Sequence, residues 1–214
     1  MLKKLLNFLL FVLNGLNIPQ TISKLMKVLV HVDGLCEPIN PNGIACYGYV
    51  IYKDGEKVEE GYDVVDHPNP SNNVAEYMAF IKALEKLIEL GLTEDVLVRS
   101  DSQLLIFQLK GIYAVKAPRI IPLYEKAMAL IRQFKKIRFE WVPREENEEA
   151  DELSRRAYYN YVSKNLATFL EKYKNYLATE KQRALLARLG VSCPPWLSKR
   201  EASKLISKAL SKKH

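Results

Sequence analysis

Hydrophobic positions along the chain fall first into short dense blocks and then into longer spaced ones. Residues 27–32 are apolar at most positions and rich in Val, which reads as a strand ending at Asp33. Asn40-Pro41-Asn42-Gly43 is a turn cluster, and residues 45–52 form a second strand. Asp54-Gly55 is a two-residue hairpin signal, so residues 57–65 return as a third, antiparallel strand. Two prolines keep residues 67–72 extended. From 73 to 90 the apolar residues sit at 77, 80, 81, 84, 87 and 88, one face of a helix, with Gly91 as its stop. A short strand over 96–99 runs into Ser100-Asp101. Helices are predicted over 102–109 and 118–134, a strand over 137–142 stopped by Pro143, and a helix over 145–161.

This order predicts an α/β domain: a mixed five-stranded sheet with helices on its faces. The first three strands form an antiparallel meander, and the later two enter through helical crossovers that set them parallel to the first. Beyond about residue 165 the pattern becomes helical and basic. Helices are predicted over 166–177 and 179–189, the second with Thr179 as N-cap and Gly190 as stop. Ser198-Lys199-Arg200-Glu201 reads as a capping box opening a last helix. The chain divides into an apolar, helical N-terminal extension (1–26), a core domain (27–162) and a basic helical extension (163–214).

Charge sharpens that division. Residues 28–154 carry 22 acids against 14 bases, whereas residues 155–214 carry 14 bases against three acids. An acidic body with a basic extension suits a polyanionic partner met through the extension and cations held by the body. The ordinary alternative is a solvated basic helix face. Cys36, Cys46 and Cys193 match no zinc spacing and leave one unpaired in any disulfide scheme, so free thiols in a reducing cytoplasm are expected. Lys3 and Lys4 precede an apolar run, residues 5–16, broken by Asn7 and Asn14 and too short to span a bilayer. An extra helix packed on the domain is the first reading of it. A weak membrane or export signal and an upstream extension of a core that begins near Met26 are the others, and the leading reading expects no membrane association.

Four carboxylates occupy telling positions. Asp33 and Asp101 stand at the ends of strands that the topology makes parallel neighbours, where ligand sites in such sheets gather. Glu76 and Asp151 lie on the first turns of helices that can reach the same spot. Each alone has an ordinary role, as a turn residue or a partner of a helix dipole. Together they repel one another unless cations are present, and hard divalent ions with oxygen ligands supply that neutralisation.

The chain resembles type 1 ribonuclease H over roughly residues 27–160. The segments that carry the likeness are Val32-Asp33-Gly34, Asn40-Pro41, Ser71-Asn72-Asn73-Val74-Ala75-Glu76, Ser100-Asp101-Ser102-Gln103, Trp141-Val142-Pro143 and Asn147-Glu148-Glu149-Ala150-Asp151-Glu152-Leu153. The resemblance implies strand order 3-2-1-4-5 and endonucleolytic hydrolysis of the RNA strand of RNA–DNA hybrids, with 5′-phosphate and 3′-hydroxyl ends. It implies two Mg²⁺ ions, with Mn²⁺ as an alternative, held by Asp33, Glu76, Asp101 and Asp151. It further implies substrate contacts from Gly34, Asn40, Asn72 and Gln103, and Ser71 near a DNA phosphate. Two features depart from the family pattern. The loop between the last strand and Asp151 carries no His, which leaves Arg144 as the nearest stand-in or, otherwise, a surface partner of Glu148. The basic, Trp-rich protrusion of some members is reduced to Lys110–Arg119, for which the basic extension can substitute in binding nucleic acid. Double-stranded RNA cleavage, exonuclease action and a non-catalytic hybrid-binding module are the alternatives, and a monomer is expected.

Overall fold

The computed structural model describes residues 28–211. The N-terminal apolar run and His214 lie outside the described residues.

The strands are β1 (Val28–Glu37), β2 (Ile44–Lys53), β3 (Glu56–Val64), β4 (Val96–Ser100) and β5 (Ile137–Trp141). They form one sheet in the order β3-β2-β1-β4-β5, with β1–β2 and β2–β3 antiparallel and β1–β4 and β4–β5 parallel. The helices of the domain are α1 (Asn72–Glu89), α2 (Gln103–Leu109), α3 (Ile121–Ile131) and α4 (Glu148–Lys164). They are followed by α5 (Leu166–Tyr173), α6 (Glu180–Arg188) and α7 (Lys199–Ser211).

The alternation of β1 divides its side chains between two faces. Val28, Val30 and Val32 pack with Phe80, Leu84 and Leu87 of α1 and with Ala127 of α3. His31, Asp33 and Leu35 point the other way, toward α4 and the extension. α4 packs close to the sheet because β2 carries Gly48 there. A Cβ on Gly48 would stand 2.5 Å from the Ser154 amide nitrogen and 2.6 Å from the Ala150 carbonyl oxygen.

Several boundaries differ from the sequence reading. β1 runs past Asp33 to Glu37, because its antiparallel pairing with β2 continues after its parallel pairing with β4 ends at His31. α3 begins at Ile121 rather than 118, with Pro122 inside its first two positions and a turn closed by Ile120 N–H to Ala117 O just before it. Residues 144–146 form a separate 3₁₀ turn, so α4 starts at Glu148. The helix expected over 166–177 ends at Tyr173 and tightens into a 3₁₀ turn.

The extension folds onto the domain. Phe169 and Tyr173 of α5 join Leu35, Cys46, Tyr158 and Val162 in one apolar cluster. Leu177 then bridges to Ser198, and Ala178, Leu186, Leu197 and Ala202 make a small core between α6 and α7. Thr179 closes the N-terminus of α6 with a full capping box to Gln182. No disulfide forms among the three cysteines, and among the described residues no helix is long and apolar enough to cross a membrane.

Candidate active site

The parallel register positions two of the four acids. His31 of β1 lies beside Arg99 of β4. The same offset carried two residues further sets Asp33 level with Asp101 on one face of the sheet. Gly34 lets α1 approach. A Cβ there would lie 2.2 Å from the backbone nitrogen of Glu76, so only a residue without a side chain admits α1 this close to β1. Glu76 is the fifth residue of α1, past the first turn, and is buried; it faces the other acids rather than serving the helix terminus. Oxygen atoms of Asp33, Glu76 and Asp101 all lie within 4.8 Å of one another.

Crowding and burial set the electrostatics. Burial pushes the Asp33 carboxyl up to about 7, with Asp101 and Asp151 adding repulsion and the Ser154 hydroxyl opposing it. Ser154 Oγ–H donates to Asp33 Oδ2 at 2.5 Å. Burial also raises Glu76 well above the usual carboxylate range, and Asp33 and Asp101 push it further. One Glu76 oxygen, Oε2, is buried without a hydrogen-bond partner. None of the three acids forms an ion pair among the described residues. Clustered hard oxygens, an orphaned buried acceptor and the lack of an ion pair to any of the three acids among the described residues together fit a divalent cation of the Mg²⁺ or Ca²⁺ type.

Asp151, on α4, lines the same cleft of about 450 Å³ as the other three acids but is held differently. Arg144 and Arg155 both pair with it, Arg155 Nε donating to Oδ2 at 2.9 Å. Arg144 therefore pairs with Asp151 rather than Glu148, and its exposed guanidinium stands at the mouth of the cleft.

Two residues that the sequence reading passed over organise the acids. Asn147 is 1% exposed. Its Nδ2 donates to Val32 O and to Asp101 Oδ1, each at 3.0 Å, and its Oδ1 accepts from His31 Nδ1 at 3.1 Å. Ser154 carries the Asp33 contact. The available signal for Asn147 was its place at the head of the Asn147–Leu153 segment that carries the family resemblance, where the predicted helix over 145–161 made it an ordinary first-turn residue. Ser154 lies one turn beyond Asp151, a spacing that puts both on one helix face.

The remaining predicted contacts are spread along the cleft and its rim. Gly34 and Asn72 line it. Asn40 is exposed and accepts from the Asn72 amide at 3.0 Å, while Gln103 is exposed at the start of α2. Ser71 is buried, and its hydroxyl is committed to capping α1 through Val74 N–H at 3.3 Å.

A family model described as reverse transcriptase-like matches residues 32–157. A bifunctional protein of Mycobacterium tuberculosis is 39% identical over 129 residues, covering 60% of this chain and 35% of that protein. The chain thus spans about a third of the length of that relative. Among solved structures, RNase H1 of Halobacterium salinarum aligns with a TM-score of 0.58 and 35% identity, covering 63% of this chain and 98% of that one. LC11-RNase H1, solved in complex with an RNA/DNA hybrid, aligns with a TM-score of 0.56 and 34% identity, covering 61% of this chain and 95% of that one.

Proposed function

The chain belongs to the type 1 ribonuclease H family, and on that footing we propose that it is an endonuclease that hydrolyses the RNA strand of RNA–DNA hybrids, leaving 5′-phosphate and 3′-hydroxyl ends. One observation carries the reading: three buried or half-buried carboxylates converge within 4.8 Å, with a fourth in the same open cleft. A surface built only to bind a polyanion gains nothing from such a cluster. The hybrid bound to LC11-RNase H1 supports the choice of substrate.

Asp33, Glu76 and Asp101 would hold a Mg²⁺ or Mn²⁺ ion, and Asp151 in the same cleft would help to hold a second. When bound, the cations lower the pKa of coordinated water and offset the charge on the scissile phosphate. The protein's own groups hold the acids in place. Asn147 orients Asp101 by its amide hydrogen bond, and Ser154 orients Asp33. By the same reading Glu76 is the acid that contacts the 2′-hydroxyl next to the scissile phosphate, the group that separates RNA from DNA. Arg144 cannot act as a base at ordinary pH, and its pairing with Asp151 gives it the role of holding that carboxylate at the cleft.

The test is Asp33→Asn on a labelled hybrid with Mg²⁺. Turnover is expected to fall by at least about a thousandfold while circular dichroism stays unchanged. EDTA abolishes wild-type cleavage, and a circular hybrid is still cut. Full activity in the Asn variant would overturn the assignment.

A further inference from the structure

The helix α7 lies outside the segment matched by the family model, yet it forms one wall of the catalytic cleft. Arg200, Glu201, Lys204 and Leu205 line the cleft together with Asp33, Glu76, Asp101 and Asp151. We propose that Lys204 of α7 binds a backbone phosphate of the nucleic acid lying in that cleft; the proposal rests on the nuclease reading above and adds a substrate contact from outside the nuclease domain.

The helix is placed firmly enough to present a side chain. Its apolar face, with Ala202, Leu205 and Ile206, packs on Ala178, Leu186 and Leu197. Two ion pairs fix its first turn to the domain. Arg200 pairs with the buried Glu37 at the end of β1, and Glu201 pairs with Arg155 Nη1 at 3.1 Å. Glu201 also accepts from Ser198 Oγ, so the expected capping box is turned partly outward to reach Arg155. Residues four apart lie close to one stripe of a helix, which carries Arg200, Lys204 and Lys208 along the side facing the cleft and onward from it.

Elimination singles out Lys204. The cations lining the cleft are Arg144, Arg155, Arg200 and Lys204. Arg144 and Arg155 are taken by Asp151, and Arg200 by Glu37. Lys204 is exposed and makes no ion pair or hydrogen bond among the described residues. A cleft floored by carboxylates repels a phosphodiester strand except where cations intervene. An unneutralised ammonium on the opposite wall supplies the attraction that places the strand over the acids. A Lys point charge suits a phosphate oxygen and carries no base specificity.

Binding is read by anisotropy of a labelled RNA–DNA hybrid, with Mg²⁺, in the Asp33→Asn background so that the strand stays intact. Adding Lys204→Ala is expected to weaken binding about fivefold and to make the plot of log affinity against log salt shallower by roughly one. Lys204→Arg restores both. Lys135→Ala, which removes a charge at the opposite end of the parallel strands, leaves both unchanged. In the catalytically intact chain Lys204→Ala raises KM more than it lowers kcat. An unchanged affinity and salt slope in Lys204→Ala, or no hybrid binding by its parent at low salt, would overturn the contact. Wild-type cleavage is scored separately: a chain that binds the hybrid but never cuts it overturns the nuclease reading, and the binding series still decides the fate of Lys204.

Discussion

Four acids in one small volume make the site costly to the fold when no cation is present. Asp33 titrates near 3.8 when unfolded and at about 7 when folded, so the folded state holds its proton more tightly. Where both states are protonated, at low pH, Asp33 costs nothing. As pH rises from about 4 to about 7 the metal-free fold loses stability, by on the order of 4 kcal/mol in all from this group. Denaturant unfolding in EDTA is therefore expected to show a less stable wild type near pH 8, above that window, than near pH 5, within its lower half. Asp33→Asn should flatten the slope, and Mg²⁺ should raise the wild-type melting temperature more at the higher pH. Asn147→Ala leaves Val32 O and the Asp101 carboxylate without their amide donor. It should cost about 2–4 kcal/mol and lower kcat, as measured by urea melts and hybrid cleavage. The acids were legible in the sequence because strand ends and helix starts reveal themselves by local pattern. Asn147 and Ser154 were not, because their partners lie 115 and 121 residues away along the chain, and nothing local reports such a pairing.

Among the elements, the strands and α1 follow directly from periodicity, since half-buried strands and a helix with one apolar face leave distinct spacings. Misses cluster where a side chain or a proline intervenes. The start of α4 slips to Glu148 because the Asn147 side chain turns inward to β1, which leaves residues 144–146 as a separate turn. Glu76, read as a first-turn residue, became a buried one because α1 begins at Asn72 and runs close over Gly34. That close approach carries a prediction. Gly34→Ala puts a methyl group against the α1 backbone, which must move away and take Glu76 with it. Cleavage should fall by roughly tenfold or more, with a lowered melting temperature.

For the whole molecule, amphipathic spacing showed that the basic extension is helical but not what its apolar faces cover. The structure gives the answer in two parts. α5 covers Leu35, Cys46 and Tyr158 and belongs to the stability of the domain; α6 and α7 share a small core of their own, and of the two it is α7 that lines the cleft. Truncation after Tyr161 strips the first part and is expected to lower the melting temperature sharply by exposing that cluster. Truncation after Tyr176 keeps α5. It should leave a folded domain that binds the hybrid more weakly, with a flatter salt dependence, as read by thermal melts and anisotropy. A basic extension acting only as a solvated helix face would leave the salt dependence of the shorter chain unchanged.

The order of the segments along the chain has a consequence for biosynthesis. All four acids have been translated by residue 151, but the helix that walls their cleft ends at residue 211. A nascent chain still threaded through the ribosome thus displays the acids with that side open. The cleft with its α7 wall, with Glu37 paired to Arg200 and Arg155 to Glu201, exists only once that helix has emerged and docked.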